Sequence, residues 1–526
     1  MNKRKVFILG VDGAAPEIID SLVSQGQLPN FQRVISKGVS GRLKTTIPPV
    51  TPCAWSSFMT GKNPGKHGIG EFCYIDEDHE LRVNSSSNRN TKDLWEYLSE
   101  DNFKSIVLYV PFTYPPKEIN GVMVCGFRTP SEQSRLTHPE RLRDEILSKF
   151  KDFKVSERSK YAENIKSVRG FRDEAFDLAD TRYKVAEYLM KKDDYDFSMV
   201  VFMLVDHVQH WYWKYYDESY PKYESNVEFK DTVINAYIKM DDFLGKFIET
   251  YPDHNILIMS DHGGGPYYKD VTMNKWLMDN GYLFLKEKRA LHKRMINAIG
   301  LNVLITKGLN LGLWKIIKRF PSVKWYIQNK LVTTYKDVDW ERTTAYSYGY
   351  YGPIHINRHA VKDEKEFVRL KEEIKGKLRE IRDPYNGEPL VKNIWEKEDL
   401  YSGEKSDILP DIIINMGDFT YGSSSTFAFS SNELFSEPKT FQSGGHTQYG
   451  VFMAYGPDIK EGEKIDNAQI YDIAPTLLHV YGIPVPSDMD GRVLKEIFKE
   501  NSGPATRDVR YQSNDEIREI ISQIRI

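Results

Sequence analysis

The chain has 526 residues, 40% of them hydrophobic and 13% aromatic, and its formal net charge is 72 − 75 = −3. That is ample material for a large core, in one elaborated α/β domain or in about three domain-sized units, and the near-balanced charge excludes a molecule-wide polyanion binder, so no nucleic-acid partner is expected. Cys53, Cys73 and Cys125 form no C-x-x-C pair, which leaves out a disulfide framework and a cysteine zinc site and favours reduced intracellular thiols.

The apolar run after Lys5 lacks the length and cleavage site of a signal peptide. No later run reaches the roughly 18 apolar residues of a membrane span, so a cytoplasmic protein is expected. Short apolar runs follow at Val6–Val11, Ser105–Val110, Ser198–Val205, Asn255–Ser260, Asp411–Asn415 and Val451–Ala454, separated by longer helical patterns. Buried strands alternating with helices predict an α/β fold: a doubly wound, mostly parallel central sheet with helices on both faces and helical insertions. The catalytic core is expected over 1–285 and 345–500, with a helical elaboration near 139–192. The stretch Lys286–Lys336 carries twelve Lys or Arg against Glu287, a balance of +11. It predicts a basic helical insertion or cap over 286–344, read first as a solvated face. The sharper reading is a lid over an anionic substrate or a peripheral contact with an anionic membrane. Residues 501–526 form a polar tail. There is no internal repeat.

Three runs lead into an acid: Asp12, Asp206 and Asp261. In doubly wound sheets ligands gather beyond the carboxyl ends of the strands, and carboxylates placed there call for a cation. One strand-end aspartate is commonly a helix cap; three at one edge suggest a metal site.

The segment Ile47–Gly68, IPPVTPCAWSSFMTGKNPGKHG, punctuates a short helix, with Thr51 at its N-cap, Pro52 next and Gly61 as the stop. The plain reading of Thr51 is a cap. A helix N-terminus also favours phosphate, which seats a hydroxyl beside an anion. His210 lies one helical turn beyond Asp206, His262 adjoins Asp261 before a glycine pair, and His446 sits in Ser443-Gly-Gly-His-Thr447. A lone histidine is usually structural. Together the set is an Asp/His array without cysteine, suited to zinc or manganese, and seven side chains suit two ions. His67 is read as a loop brace, His207 as structural or supporting, and Asp472 as a helix cap. Tyr348, Tyr351 and Trp211 are candidates to line a cleft.

In these segments the chain resembles the alkaline phosphatase superfamily, and within it the type I phosphodiesterase/nucleotide pyrophosphatase branch. The resemblance rests on VFILGVDG, PPVTPCAWSSFMTGKNPGKHG, D-x-x-x-H, S-D-H-G, G-G-H and YDIAPTLLHVYGIPVPSDMDG in that order. It implies an alkaline phosphatase-like fold and two divalent ions, zinc ahead of manganese. One ion would be held by Asp206, His210 and His446, the other by Asp12, Thr51, Asp261 and His262. It also implies hydrolysis of phosphodiester or pyrophosphate bonds through a phosphothreonine at Thr51. Substrates in view are phosphate-ester small molecules and lipid- or glycan-linked phosphodiesters. The chain departs from the branch at Phe72, where an asparagine contacting a phosphoryl oxygen is usual, and Pro52 has no N–H to replace it.

A sulfatase needs Cys-x-Pro-x-Arg, whereas Cys53 precedes Ala54-Trp55-Ser56-Ser57. A phosphomutase would carry serine at position 51. Phosphomonoesterase activity on the same two-metal site and a non-catalytic metal-stabilised binding protein stay as alternatives.

Overall fold

The computed structural model describes residues 5–156, 165–287, 333–423, 428, 429, 431, 433–438 and 441–512. The basic stretch 286–336, apart from its ends, and the tail after 512 lie outside the described residues. In chain order the strands used below are β1 (Val6–Val11), β2 (Val39–Lys44), β3 (Ser105–Leu108), β4 (Gly121–Val124), β5 (Thr137–His138), β6 (Phe197–Phe202), β7 (Asn255–Met259) and β8 (Gly263–Pro266). They continue with β9 (Ala345–Ser347), β10 (Ile354–Ile356), β11 (Val391–Glu396), β12 (Ile412–Met416), β13 (Gly444–Thr447), β14 (Tyr449–Tyr455) and β15 (Glu463–Gln469).

The centre is a nine-stranded sheet in the order β15-β2-β14-β7-β1-β6-β3-β4-β5. Strands β7, β1, β6, β3 and β4 run parallel, while β14 runs antiparallel to both β7 and β2. Helices cover both faces because the central strands are apolar on both. Along β1 the side chains of Phe7, Leu9 and Val11 enter one core cluster, and those of Val6 and Ile8 enter another. The first cluster takes helices α1 (Pro16–Ser24), α2 (Pro29–Lys37), α5 (Leu142–Lys149), α6 (Ile165–Met190), α7 (Leu204–Tyr216) and α8 (Thr232–Thr250). The second takes α3 (Thr51–Thr60), α4 (Leu94–Glu100) and α10 (Ile473–Tyr481). The expected doubly wound α/β architecture is therefore present.

Three boundaries differ from expectation. The run Ser198–Val205 is not one strand: β6 stops at Phe202 and α7 begins at Leu204. A continuous apolar run carries no period to mark such a switch, and the consequence is that Asp206 sits in the first turn of a helix. The run at Asp411–Asn415 is a strand, but it belongs to a separate sheet of order β9-β10-β12-β11. That sheet is backed by α9 (Glu364–Leu378) through Phe367, Leu370, Ile374 and Leu378. Strands β2 (VSGRLK) and β15 (EKIDNAQ) are not among the apolar runs of the sequence; β15 lies at the sheet edge, where two of its seven residues are buried. Among the described residues no helix is long and apolar enough to cross a membrane.

Candidate active site

The site forms at the carboxyl edge of β1, β6 and β7. Asp12 follows β1 directly, Asp261 follows β7, and Asp206 and His210 project from adjacent turns of α7. The β1 turn is held close to α7 because position 13 is glycine: at φ +71° a Cβ there would lie 2.9 Å from the Asp206 Cβ and 3.0 Å from its Oδ1. The nucleophile-candidate helix α3 arrives from the second face with Thr51 at its first residue. His446 comes from far along the chain: β13 pairs antiparallel with β8, placing it opposite Gly264, two residues beyond His262. Glycine at 264 lets β8 lie close to α7, since a Cβ there would meet the Gln209 side chain at 2.4 Å.

All seven expected residues converge. Asp206 Oδ1 lies 3.2 Å from His210 Nε2 and 3.4 Å from His446 Nε2, and those two nitrogens are 3.1 Å apart. His262 Nε2 lies 3.3 Å from Asp261 Oδ2, 3.6 Å from Asp12 Oδ1 and 3.3 Å from Thr51 Oγ1. The His262 and His446 rings stack with centroids 3.6 Å apart. Asp206 is shared: besides joining His210 and His446, it falls with Asp12 and His262 in a second set of mutually close ligand atoms.

The three imidazoles are oriented alike. The Nδ1 of His210 lies 2.9 Å from the Gly444 carbonyl, that of His446 2.7 Å from the Pro49 carbonyl, and that of His262 3.1 Å from the Gly263 carbonyl. Each carbonyl can accept from Nδ1–H, which turns an Nε2 lone pair inward; His210 Nδ1 also lies 2.9 Å from the Gln442 side-chain nitrogen. Two such lone pairs 3.1 Å apart, beside a carboxylate, repel unless a cation or proton lies between them. The acids give the same message. Trp55 Nε1–H donates to Asp12 Oδ2 at 2.7 Å, but Asp12 Oδ1 and Asp261 Oδ2 are buried with no hydrogen-bond partner, a costly condition that metal ligation relieves.

Burial, reinforced by Asp206, pushes the Asp12 carboxyl up to about 8. Burial and then Asp12 hold Asp261 well above its ordinary value. Burial and the neighbouring His446 keep His262 neutral, well below its usual pKa. His210 goes the other way: burial alone would lower it, but Asp206 raises it. A cation at that position competes with a proton, so its binding weakens as pH falls. The donor set of oxygen and imidazole nitrogen fits a pair of divalent ions.

Two roles assigned from sequence change. Thr51 is not a cap; α3 begins on it, and its Oγ1 faces His262 rather than a backbone amide. Asp472 makes no capping bond to α10; it caps the 3-10 turn Ile470–Asp472 instead, accepting from the Gln469 amide, and it also accepts from the Arg492 amide, both at 2.8 Å. His67 does brace its loop: Nδ1 accepts from the Ile69 amide at 3.1 Å and Nε2 lies 2.9 Å from Ser57 Oγ. His207 packs at 6.0 Å from the Phe127 ring. Trp211 packs beside His210, and the Tyr351 hydroxyl accepts from the His446 amide at 3.4 Å. Tyr348 instead stacks on His355 in the wall of a cavity of about 620 Å³ that Pro48 and Glu71 also line.

The sequence reading missed the supports. Trp55 stands four residues after Thr51, on the same helix face, and that spacing was available. Gln209 was available too, inside DHVQH: its Nε2 donates to the Gly13 carbonyl at 2.7 Å and its Oε1 accepts from Tyr237. The carbonyls of Pro49 and Gly444 left no side-chain signal.

Glu71, one residue before Phe72, is buried and accepts from the amides of Tyr350 at 3.0 Å and Phe72 at 3.2 Å. Burial outweighs those bonds and lifts its carboxyl from 4.5 to about 7. The folded state then holds a proton that the unfolded state has lost, so this contribution to stability is complete below pH 4.5 and disappears as pH rises through 7. The difference is on the order of 3 kcal/mol. Urea unfolding at pH 5 and pH 8 should show that much of the wild-type loss vanishing in Glu71→Gln; an unchanged pH slope would refute the assignment.

The family model described as type I phosphodiesterase/nucleotide pyrophosphatase matches residues 6–427. No curated protein matches. Among solved structures the chain is similar to human ectonucleotide pyrophosphatase/phosphodiesterase 5, at 14% identity and TM-score 0.51, covering 95% of this chain and 100% of that one. It is also similar to the murine protein of that name, at 11% identity and TM-score 0.52, covering 94% and 100%. An inactive murine variant in complex with AMP matches with the same values. At these identities the likeness concerns the fold.

Proposed function

Because this chain belongs to the type I phosphodiesterase/nucleotide pyrophosphatase family, and so is a hydrolase acting on phosphoric ester bonds, we propose that it cleaves phosphodiester or pyrophosphate bonds through a phosphothreonine at Thr51. In this reading Asp206, His210 and His446 hold one divalent ion and Asp12, Thr51, Asp261 and His262 the other, zinc ahead of manganese. The observation that carries it is the Thr51 hydroxyl: buried, free of any capping role, and 3.3 Å from His262 Nε2 where the two Asp/His sets meet.

Bound dications would make the Thr51 alkoxide accessible near neutral pH and offset phosphoryl charge. Thr51 Oγ then attacks phosphorus, the bond from phosphorus to the leaving oxygen breaks, and that oxygen departs to be protonated by solvent. Water attacks the phosphothreonine in turn, releasing the phosphate and restoring the hydroxyl. The first-turn amide of Cys53 has no intrahelical acceptor by its position and, with the helix dipole, can orient a phosphoryl oxygen. Trp55 fixes Asp12, and the carbonyls of Pro49, Gly444 and Gly263 fix the imidazoles, so the ligands are in place before the substrate arrives.

The test is hydrolysis of bis-p-nitrophenyl phosphate against p-nitrophenyl phosphate, with and without chelator. Chelator-sensitive turnover favouring the diester is expected. A strong monoester preference would replace the diesterase reading, and no turnover of either with metal loaded would favour the binding protein.

A further inference from the structure

The position that departs from the family pattern, Phe72, is the centre of an aromatic wall. Its ring packs against Phe112 at 5.7 Å, Phe127 at 6.4 Å and Tyr350 at 5.7 Å between centroids. Phe127 continues the wall to His207, and His207 to Trp211 beside His210. The wall thus runs from Phe72 to α7, the helix that carries Asp206 and His210. Arg128 stands on it, with its guanidinium carbon 5.5 Å from the Phe72 centroid and 5.9 Å from that of Phe127, within cation–π range.

Three observations set Arg128 apart. It is exposed, and it makes no hydrogen bond or ion pair among the described residues. It occupies the left-handed backbone region at φ 77°, which costs a side-chain-bearing residue about 1 kcal/mol or more and tends to mark functional sites. Its place is also prepared: the turn after β4 folds tightly onto the turn after β3, and a Cβ at Gly126 would lie 2.1 Å from the Tyr109 carbonyl oxygen. Because β4 and β3 are parallel to β6, the turn carrying Phe127 and Arg128 leaves the sheet at the same edge as Asp12 and Asp206.

We propose that Arg128 is a specificity-determining residue that receives a negative charge the substrate carries in addition to that of the scissile phosphoryl group, while the apolar part of the substrate lies against Phe72, Phe127 and Tyr350. This rests on the phosphohydrolase reading above and adds the class of substrate: an anionically substituted phosphoester with an apolar or aromatic portion. Phe72 then acts as the platform that holds the guanidinium, and a diffuse cation stands in the region where relatives offer a neutral amide.

The experiment uses the full-length, metal-loaded enzyme and a matched pair of 4-nitrophenyl aryl phosphodiesters whose second ring bears hydrogen or a carboxylate. The wild type should prefer the carboxylated member, mainly through KM. Arg128→Gln should lower kcat/KM for that member ten- to hundredfold and for the uncharged member less than threefold, with Arg128→Lys recovering part of the difference. Phe72→Ala should erode the same preference by loosening the platform. Equal losses on both substrates, or none, would overturn the proposal. Calorimetric binding of phenylphosphonate and 4-carboxyphenylphosphonate gives a readout independent of turnover. If neither diester is hydrolysed, the phosphohydrolase reading fails, yet a carboxylate preference lost in Arg128→Gln still supports the subsite and an equal affinity in both proteins refutes it.

Discussion

Thr51→Ala should lower kcat on a phosphodiester by roughly 10³-fold or more, because it removes the attacking atom. The loss should fall on kcat, with substrate still captured by the remaining site. The residue is 2% exposed and, among the described residues, its hydroxyl bonds only to His262, so the variant should fold with a melting temperature close to wild type. Thr51→Ser keeps an oxygen within reach and should retain part of the rate. Acid-quenched wild-type enzyme should yield a phosphorylated peptide containing Thr51, absent from the alanine variant. An alanine variant with near wild-type turnover would end the covalent reading, leaving direct attack by water on the same cluster.

Removing divalent ions should abolish activity and also lower thermal stability. Asp12, Asp206 and Asp261 are buried together; burial and the Asp206 charge push Asp12 up, and burial and the charges of Asp12 and Asp206 push Asp261 up. Ligation relieves that strain, and an ion present at about a hundred times its Kd stabilises the folded state by about 3 kcal/mol. Chelator treatment should therefore drop the melting temperature by several degrees, and zinc or manganese should restore both stability and turnover. The chelator effect should be larger at pH 8 than at pH 6. At pH 6 the metal-free carboxyl of Asp12 is protonated and repels its neighbours less, burial shifts Asp261 in the same direction, and His210 competes more strongly for its proton. Unchanged melting with chelator across that range would show that the cluster does not hold metal.

The legible parts of this protein were those whose chemistry lies in side chains at short range. Strand β1 and its closing Asp12 can be read from VFILGVDG, and the Asp206–His210 pair from its spacing of one turn. What escaped lay in the backbone or in partners distant in sequence. The point where β6 gives way to α7 is hidden inside an unbroken apolar run, so Asp206 looked like a strand end. Thr51 could be read both as a cap, because Thr-Pro opens helices, and as a candidate nucleophile; the fold turns its hydroxyl to His262. Arg128 is an ordinary surface arginine in sequence, and it acquires meaning when the turn after β4 lays it on Phe72. The basic stretch 286–336 lies, apart from its ends, outside the described residues, so its expected role as cap or membrane contact stays an expectation from charge alone.

Strand β14 fills the gap between β2 and β7, although its residues are separated from theirs by more than a third of the chain. During synthesis, β2 and β7 would leave the ribosome long before the segment that joins them, each presenting an unpaired strand edge. His446 lies just ahead of β14 and arrives with it. The molecule would thus have no complete ligand set until its most aggregation-prone edges are sealed, and the onset of activity in a nascent chain would report closure of the sheet.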